Sequence, residues 1–262
     1  DHRDLHSFPT RRSSDLGNLR CREVAPGLVL DDGRLELTAE ADLGDPLLVL
    51  RCARVAAEHD AYLQRGSLER LADNALPLPV PWPDEAREMF VALLAAGPSA
   101  IPVIEDLDHV GLFVLMIPEW EPCRSRPQRN AYHRFTVDRH LMETAAEASH
   151  LVDRVDRPDL LLVGALFHDI GKGYPGDHTE VGVDLLRTIA SRMGFDDGDV
   201  DILVAMVRHH LLLPDVATRR DLDDDGTIAS VADALQSGRL LHLLGALTEA
   251  DSIATGGRKS VG

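Results

Sequence analysis

The chain has 262 residues, 28.7 kDa and 44% hydrophobic content, which is enough to bury a core in one or two domains and excludes wholesale disorder. Lys plus Arg number 27 against 44 Asp plus Glu, a formal charge of −17, so no nucleic acid or anionic lipid surface is expected as a partner. Cys21, Cys52 and Cys123 are scattered in no CxxC pattern and read as reduced thiols of a cytoplasmic protein, and the apolar run 111–118 is too short to span a membrane.

Residues 1–16 (DHRDLHSFPTRRSSDL) have neither an amphipathic period nor the apolar stretch of a signal peptide. Part of them resembles a translated sequencing adaptor, so this tail is expected to be non-native. The chain is expected to be a piece of a longer protein. Leu28–Leu30 and Leu35–Leu37 flank Asp31-Asp32-Gly33, a short β-hairpin signal. Asp45-Pro46 should start a helix that runs to Gln64 and stops at Gly66. His59-Asp60 falls on its solvated face. The four prolines of 76–83 (LPLPVPWP) demand extended backbone. Asp84–Ala96 is helical up to Gly97, and a further helix and an apolar run fill Ser99–Trp120.

Glu121–Asn130 (EPCRSRPQRN) is polar and irregular, the strongest domain boundary in the chain. It separates a mostly helical connecting region, 17–125, from an all-α domain, 126–262. Helices are expected over Val137–Val155 with Thr136 as cap, Pro158–Ile170, Thr179–Met193, Asp199–Leu213 ended by Pro214, Thr227–Leu235 and Gly238–Thr255. Asp223-Asp224-Asp225 reads as a solvated turn.

Eight of the twelve histidines lie between His133 and His242. Imidazole is the commonest metal ligand and the proton carrier of neutral pH, so the clustering points to a site. Its centre is His168-Asp169, at the end of the apolar stretch Leu160–Phe167. A His-Asp dipeptide arises about once by chance in such a composition. Context separates this one: a buried imidazole and carboxylate cost several kcal/mol unless paired or bound to a metal. Mixed N and O ligands suit a divalent cation, with Mn²⁺ or Mg²⁺ favoured and Fe²⁺ or Co²⁺ also fitting.

The order His140, then His168-Asp169-Ile170-Gly171-Lys172-Gly173, then Asp251 resembles the HD superfamily of metal-dependent phosphohydrolases. The segments 132–140 (YHRFTVDRH), 176–178 (GDH), 210–213 (HLLL), 219–222 (RRDL) and 247–255 (LTEADSIAT) resemble the bacterial uridylyltransferase/uridylyl-removing enzymes within it. Residues 17–119 resemble the connecting region of those enzymes more loosely. The nucleotidyltransferase domain and the two regulatory domains of that family have no counterpart in the sequence, so neither transfer nor glutamine sensing is expected of it.

The resemblance implies an HD-domain helical bundle in which His140, His168, Asp169 and Asp251 bind metal. His178 and His210 would hold a second ion, giving one or two in all, with His209 only a neighbour. His133, His150 and His242 are left as helix or surface histidines. Asp169 and Lys172 would be catalytic, and Lys172, Arg219 and Arg220 would grip the substrate phosphate. The reaction implied is hydrolysis of the bond joining UMP to a tyrosine of the nitrogen-regulatory PII protein, with UMP as product. Two other readings stay open: an HD phosphohydrolase of a free nucleotide such as an alarmone or dNTP, and a non-catalytic scaffold.

Overall fold

A computed structural model describes residues 21–128, 135–221, 224–235 and 237–256. The tail 1–16, His133, Asp223 and the closing residues 257–262 lie outside them.

The chain opens with strands β1 (Arg22–Ala25), β2 (Leu28–Asp31) and β3 (Arg34–Leu37), joined as antiparallel neighbours. Asp32 and Gly33 have φ of 47° and 76°, the left-handed pair that lets a two-residue turn follow the twist of its strands. Helix α1 (Leu48–Glu58) buries one face on this sheet and ends where Asp60 turns at φ 50°. The chain then adds β4 (Tyr62–Leu63) parallel to β3, so the expected hairpin is the middle of a four-stranded sheet. The expected helix to Gln64 is therefore two elements. Gly66 does not stop it; it lies in the first turn of α2 (Arg65–Asn74), where the Gln64 side chain caps Ser67 N–H at 2.8 Å.

Residues 76–83 are extended, as their prolines require, and lead into α3 (Asp84–Ala95), α4 (Ala100–His109) and α5 (Leu112–Met116). Trp82, Phe90, Phe113 and Trp120 pack ring to ring with centroids 5.0–6.4 Å apart. This aromatic chain carries the core from the proline stretch to the 3₁₀ turn Pro118–Cys123.

Beyond Phe135 the described residues contain no strand. They form α6 (Val137–Ser149), α7 (Pro158–Phe167), α8 (His178–Arg192), α9 (Asp197–His209), α10 (Leu212–Arg219), α11 (Asp225–Leu235) and α12 (Gly238–Thr255). Helix α7 is the central post: Leu160 to Phe167 are all buried, each worth about 1.5–3 kcal/mol for the large side chains. Around it pack α6, α9 and α12. One apolar core runs from Leu28 to Ala250 across both sides of 121–128. The Trp82 N–H donates to the Arg192 carbonyl at 2.8 Å and Arg87 donates to the Gly194 carbonyl at 2.6 Å, tying the proline stretch to the end of α8.

Three boundaries differ from expectation. Helix α7 stops at Phe167 rather than Ile170, and a 3₁₀ turn, Ile170–Gly173, follows. Helix α6 stops at Ser149. The run expected over Asp199–Leu213 breaks at His210–Leu211, and Pro214 sits in the first turn of α10 instead of ending a helix. A first-turn proline loses no helical hydrogen bond, since those N–H groups lack partners anyway. No single described helix is long and apolar enough to cross a membrane.

Candidate metal centre

Two histidines reach the site by the same device. His168 and His210 occupy the C-terminal caps of α7 and α9. The last carbonyls of a helix lack intrahelical partners. The His168 Nδ1 lies 2.8 Å from the Ala165 oxygen, and His210 Nδ1 lies 2.6 Å from the Val207 oxygen. A carbonyl only accepts, so each Nδ1 carries the proton and each Nε2 keeps its lone pair. Both helices thus end by aiming a fixed ligand atom at one point.

Asp169 lies between two groups of side chains. Its Oδ2 is 3.3 Å from His168 Nε2 and 3.8 Å from His140 Nε2. Its Oδ1 is 3.5 Å from His210 Nε2 and 3.8 Å from His178 Nε2. Asp251, on α12, closes the first group, with Oδ1 3.2 Å from His140 Nε2 and 3.7 Å from His168 Nε2. Within His140, His168 and Asp251 the ligand atoms all lie inside 4.8 Å of one another. The same holds for Asp169, His178 and His210. Either set is an N/O donor group of the span that one divalent ion needs.

Burial makes this arrangement costly without a cation. His140, His168, Asp169 and His210 are 1–4% exposed. His168 Nε2, His210 Nε2 and Asp169 Oδ1 are buried and have no hydrogen-bond partner among the described residues. Such orphaned atoms cost about 1–3 kcal/mol each. Cations held by the two donor groups would satisfy all three, so the residues fit the divalent metal that the resemblance to the HD superfamily implies.

The charges are coupled. Burial favours the neutral acid at Asp169, but His168, His210 and Lys172 outweigh it and hold the carboxyl well below its usual range. Burial opposes Asp251 in the same way, and His140 and His168 bring it down to about 2. Burial works against a charged His168, yet Asp169 and Asp251 raise it overall. Burial lowers His178, leaving a neutral, ligand-competent ring at pH 7.

Lys172 leaves the 3₁₀ turn beside Asp169 and its Nζ pairs with Asp169 Oδ2. It also donates to Gln128 Oε1 at 3.4 Å. With His178 and Asp251 it is among the more exposed members, so these three mark the mouth of the site. Arg219 and Arg220 are not brought there. Arg219 is exposed and pairs with Asp215, and no hydrogen bond or ion pair joins either arginine to the cluster among the described residues. His209, His150 and His242 also stay outside it. An apolar groove of about 570 Å³ between α10, α11 and α12 is lined by Leu213, Val216, Val231 and Leu241 rather than by the cluster.

Sequence reasoning missed what seats the turn. A Cβ on Gly171 would fall 1.9 Å from the His178 carbonyl oxygen, so only glycine lets α8 start against the His168-Asp169 turn. Gly171 directly follows the expected Pro158–Ile170 helix, and nothing in the sequence announces this close approach.

The family described as HD domain matches residues 137–238. That span includes five of the six clustered residues; Asp251 lies beyond it and joins through geometry alone. The chain is 52% identical over 234 residues to a bifunctional uridylyltransferase/uridylyl-removing enzyme of Streptomyces coelicolor, covering 89% of this chain and 28% of that protein. The enzyme so named in Mycobacterium tuberculosis is 47% identical over 235 residues, covering 87% and 29%. That of Corynebacterium glutamicum is 35% identical over 250 residues, covering 95% and 36%. The chain thus spans between about a quarter and just over a third of the length of these curated relatives.

Proposed function

We propose that this chain, whose residues 137–238 match the HD-domain family, is a divalent-metal-dependent phosphodiester hydrolase that removes UMP from the uridylylated tyrosine of a PII signal-transduction protein. The observation that carries the reading is the Asp169 carboxylate, which turns one oxygen to His140 and His168 and the other to His178 and His210. The names of the relatives support uridylyl removal as the chemistry.

Six side chains would hold two ions: His140, His168 and Asp251 on one side, His178 and His210 on the other, with Asp169 between them. Mn²⁺ or Mg²⁺ is the expected metal. When bound, such ions acidify a water and offset charge on the phosphoryl group. The residues of the chain do the rest. The Ala165 and Val207 carbonyls hold the His168 and His210 rings in one tautomer. Lys172 stands at the mouth with its ammonium on Asp169 and would turn toward a phosphoryl oxygen. The tyrosinate leaving group, with an unperturbed pKa near ~10, needs little help from an acid.

The test is incubation of the protein with uridylylated PII and Mn²⁺, with UMP measured by chromatography. UMP release that stops on chelation supports the reading. Hydrolysis of free nucleotides with no release from uridylylated PII would instead favour the small-substrate enzyme, and binding of PII without any hydrolysis would favour a scaffold.

A further inference from the structure

Residues 118–128 lie upstream of the matched HD span, yet they bond both to the turn that follows Asp169 and to the start of the helix that carries His140. On the side of the 3₁₀ turn, the buried Cys123 thiol donates to the Ile170 carbonyl at 3.3 Å, one residue after Asp169. Arg126 Nη1 donates to the Gly173 carbonyl at 2.6 Å, one residue after Lys172. On the side of α6, the Arg126 carbonyl accepts from the Val137 N–H at 2.9 Å. Asp138 Oδ2 accepts from the Ser125 N–H at 2.6 Å. Val137 and Asp138 begin the helix that carries His140.

Two further features show that this segment is held without slack. Ser125 has φ of 50°, a left-handed conformation that a residue with a Cβ keeps only when its surroundings enforce it. A Cβ on Gly173 would lie 2.7 Å from Cys123 Sγ and 3.1 Å from the Pro122 carbonyl carbon.

We infer that Arg126 is a positioning residue, whose guanidinium and carbonyl together tie the Ile170–Gly173 turn to the start of α6 and so fix the separation of Asp169 and His140. That separation is 3.8 Å between Asp169 Oδ2 and His140 Nε2. Two ligands on separate elements bind one ion well only when each is held within about 0.5 Å of its place. Arg126 makes the shortest side-chain tie between the segment and the turn. The inference rests on the proposed metal-dependent hydrolysis.

The experiment compares wild type, Arg126→Ala and Arg126→Lys by Mn²⁺ titration calorimetry, thermal melting without metal, and steady-state UMP release. Arg126→Ala should weaken Mn²⁺ binding about ten-fold, the low end for loss of a group that orients a metal ligand. Its kcat should fall while KM stays within about two-fold. Arg126→Lys keeps a donor for the Gly173 carbonyl and should recover part of both losses. Unchanged Mn²⁺ affinity and kcat in Arg126→Ala would overturn the inference. So would a raised KM with normal Mn²⁺ affinity, the mark of a substrate contact, or a lowered melting point with normal Mn²⁺ affinity of the folded protein. If Arg126→Ala does not fold, Arg126→Met, which keeps the stem and has no donor, carries the same expectations. Wild-type protein that neither binds Mn²⁺ nor releases UMP overturns the proposed function instead.

Discussion

Replacing Gly171 with alanine tests whether the approach of α8 to the His168-Asp169 turn builds the second half of the cluster. The added Cβ would lie 1.9 Å from the His178 oxygen, 2.8 Å from the His178 carbonyl carbon and 2.8 Å from the Gly182 nitrogen. All three are backbone atoms, so no rotamer change relieves the clash. Ordinary contacts begin near ~3.5 Å, and the first turn of α8 must therefore retreat by more than about 1 Å. His178 begins that helix, and its Nε2 stands 3.8 Å from Asp169 Oδ1. Overpacking of this kind costs about 1–3 kcal/mol. In a chain of this size that lowers the melting temperature by roughly 2–12 °C. Calorimetric melting and elemental analysis after Mn²⁺ loading should show both the lower melting point and a loss of metal from the His178–His210 side. Gly182→Ala is the comparison: its Cβ would meet Val207 Cγ1 at 3.1 Å, a side chain that can shift, so the effect should be smaller. A Gly171→Ala protein with wild-type melting and full metal content would refute the packing reasoning.

Burial pushes the Cys52 and Cys123 thiols up to about 12, while Cys21 is exposed. A thiol-reactive maleimide should therefore modify one cysteine per native chain and three in denaturant; two fast equivalents in the native protein would contradict the burial of Cys123. Burial alone would raise Glu119, but the Arg192 fork, at 2.8 and 2.5 Å, outweighs it and lowers the carboxyl. A carboxyl lowered in the fold contributes stability above its unfolded value, about 4.3, and loses it as pH falls through the folded value. Glu119→Gln should thus be about 1–3 kcal/mol less stable than wild type at pH 7 in urea titrations, with the gap closing below about pH 4; a gap that persists there would show that charge is not its source. His168→Ala should abolish UMP release and reduce bound Mn²⁺, and turnover equal to wild type would remove His168 from the site.

The helical half was legible because its signals are local. Pro158 and the apolar run Leu160–Phe167 mark a start and burial within a few residues of where they act. Asp177 accepts from the Thr179 and Glu180 amides at the mouth of α8, as its residue type suggests. Of the candidate ligands, His168-Asp169 was legible because it ends an apolar helix, where an unsatisfied imidazole and carboxylate have no inexpensive place, whereas His140, Asp251, His178 and His210 were named only through the resemblance. What failed depends on partners far away in sequence. Strand β4 is two residues that pair with β3 only after α1 folds back, and no two-residue pattern encodes that. Pro214 reads locally as a stop and acts as a first-turn residue, because His210 has already ended α9 by turning its ring onto the Val207 carbonyl. Arg219 and Arg220 read as a phosphate grip because guanidinium forks match phosphate and the background is acidic; among the described residues Arg219 pairs with Asp215 on the exterior of α10 and neither arginine meets the cluster. Arg126 carries no signal in its own neighbourhood; its importance appears only when the turn and α6 come together.

The most direct test is anomalous diffraction at the manganese edge from Mn²⁺-loaded crystals. Two peaks are expected, separated by roughly 3.5–4 Å, one beside His140, His168 and Asp251 and the other beside His178 and His210, with Asp169 touching both. A single peak that leaves His178 and His210 unliganded would reduce the site to one ion and contradict the bridging role of Asp169. No peak within the cluster would contradict a metal centre there altogether.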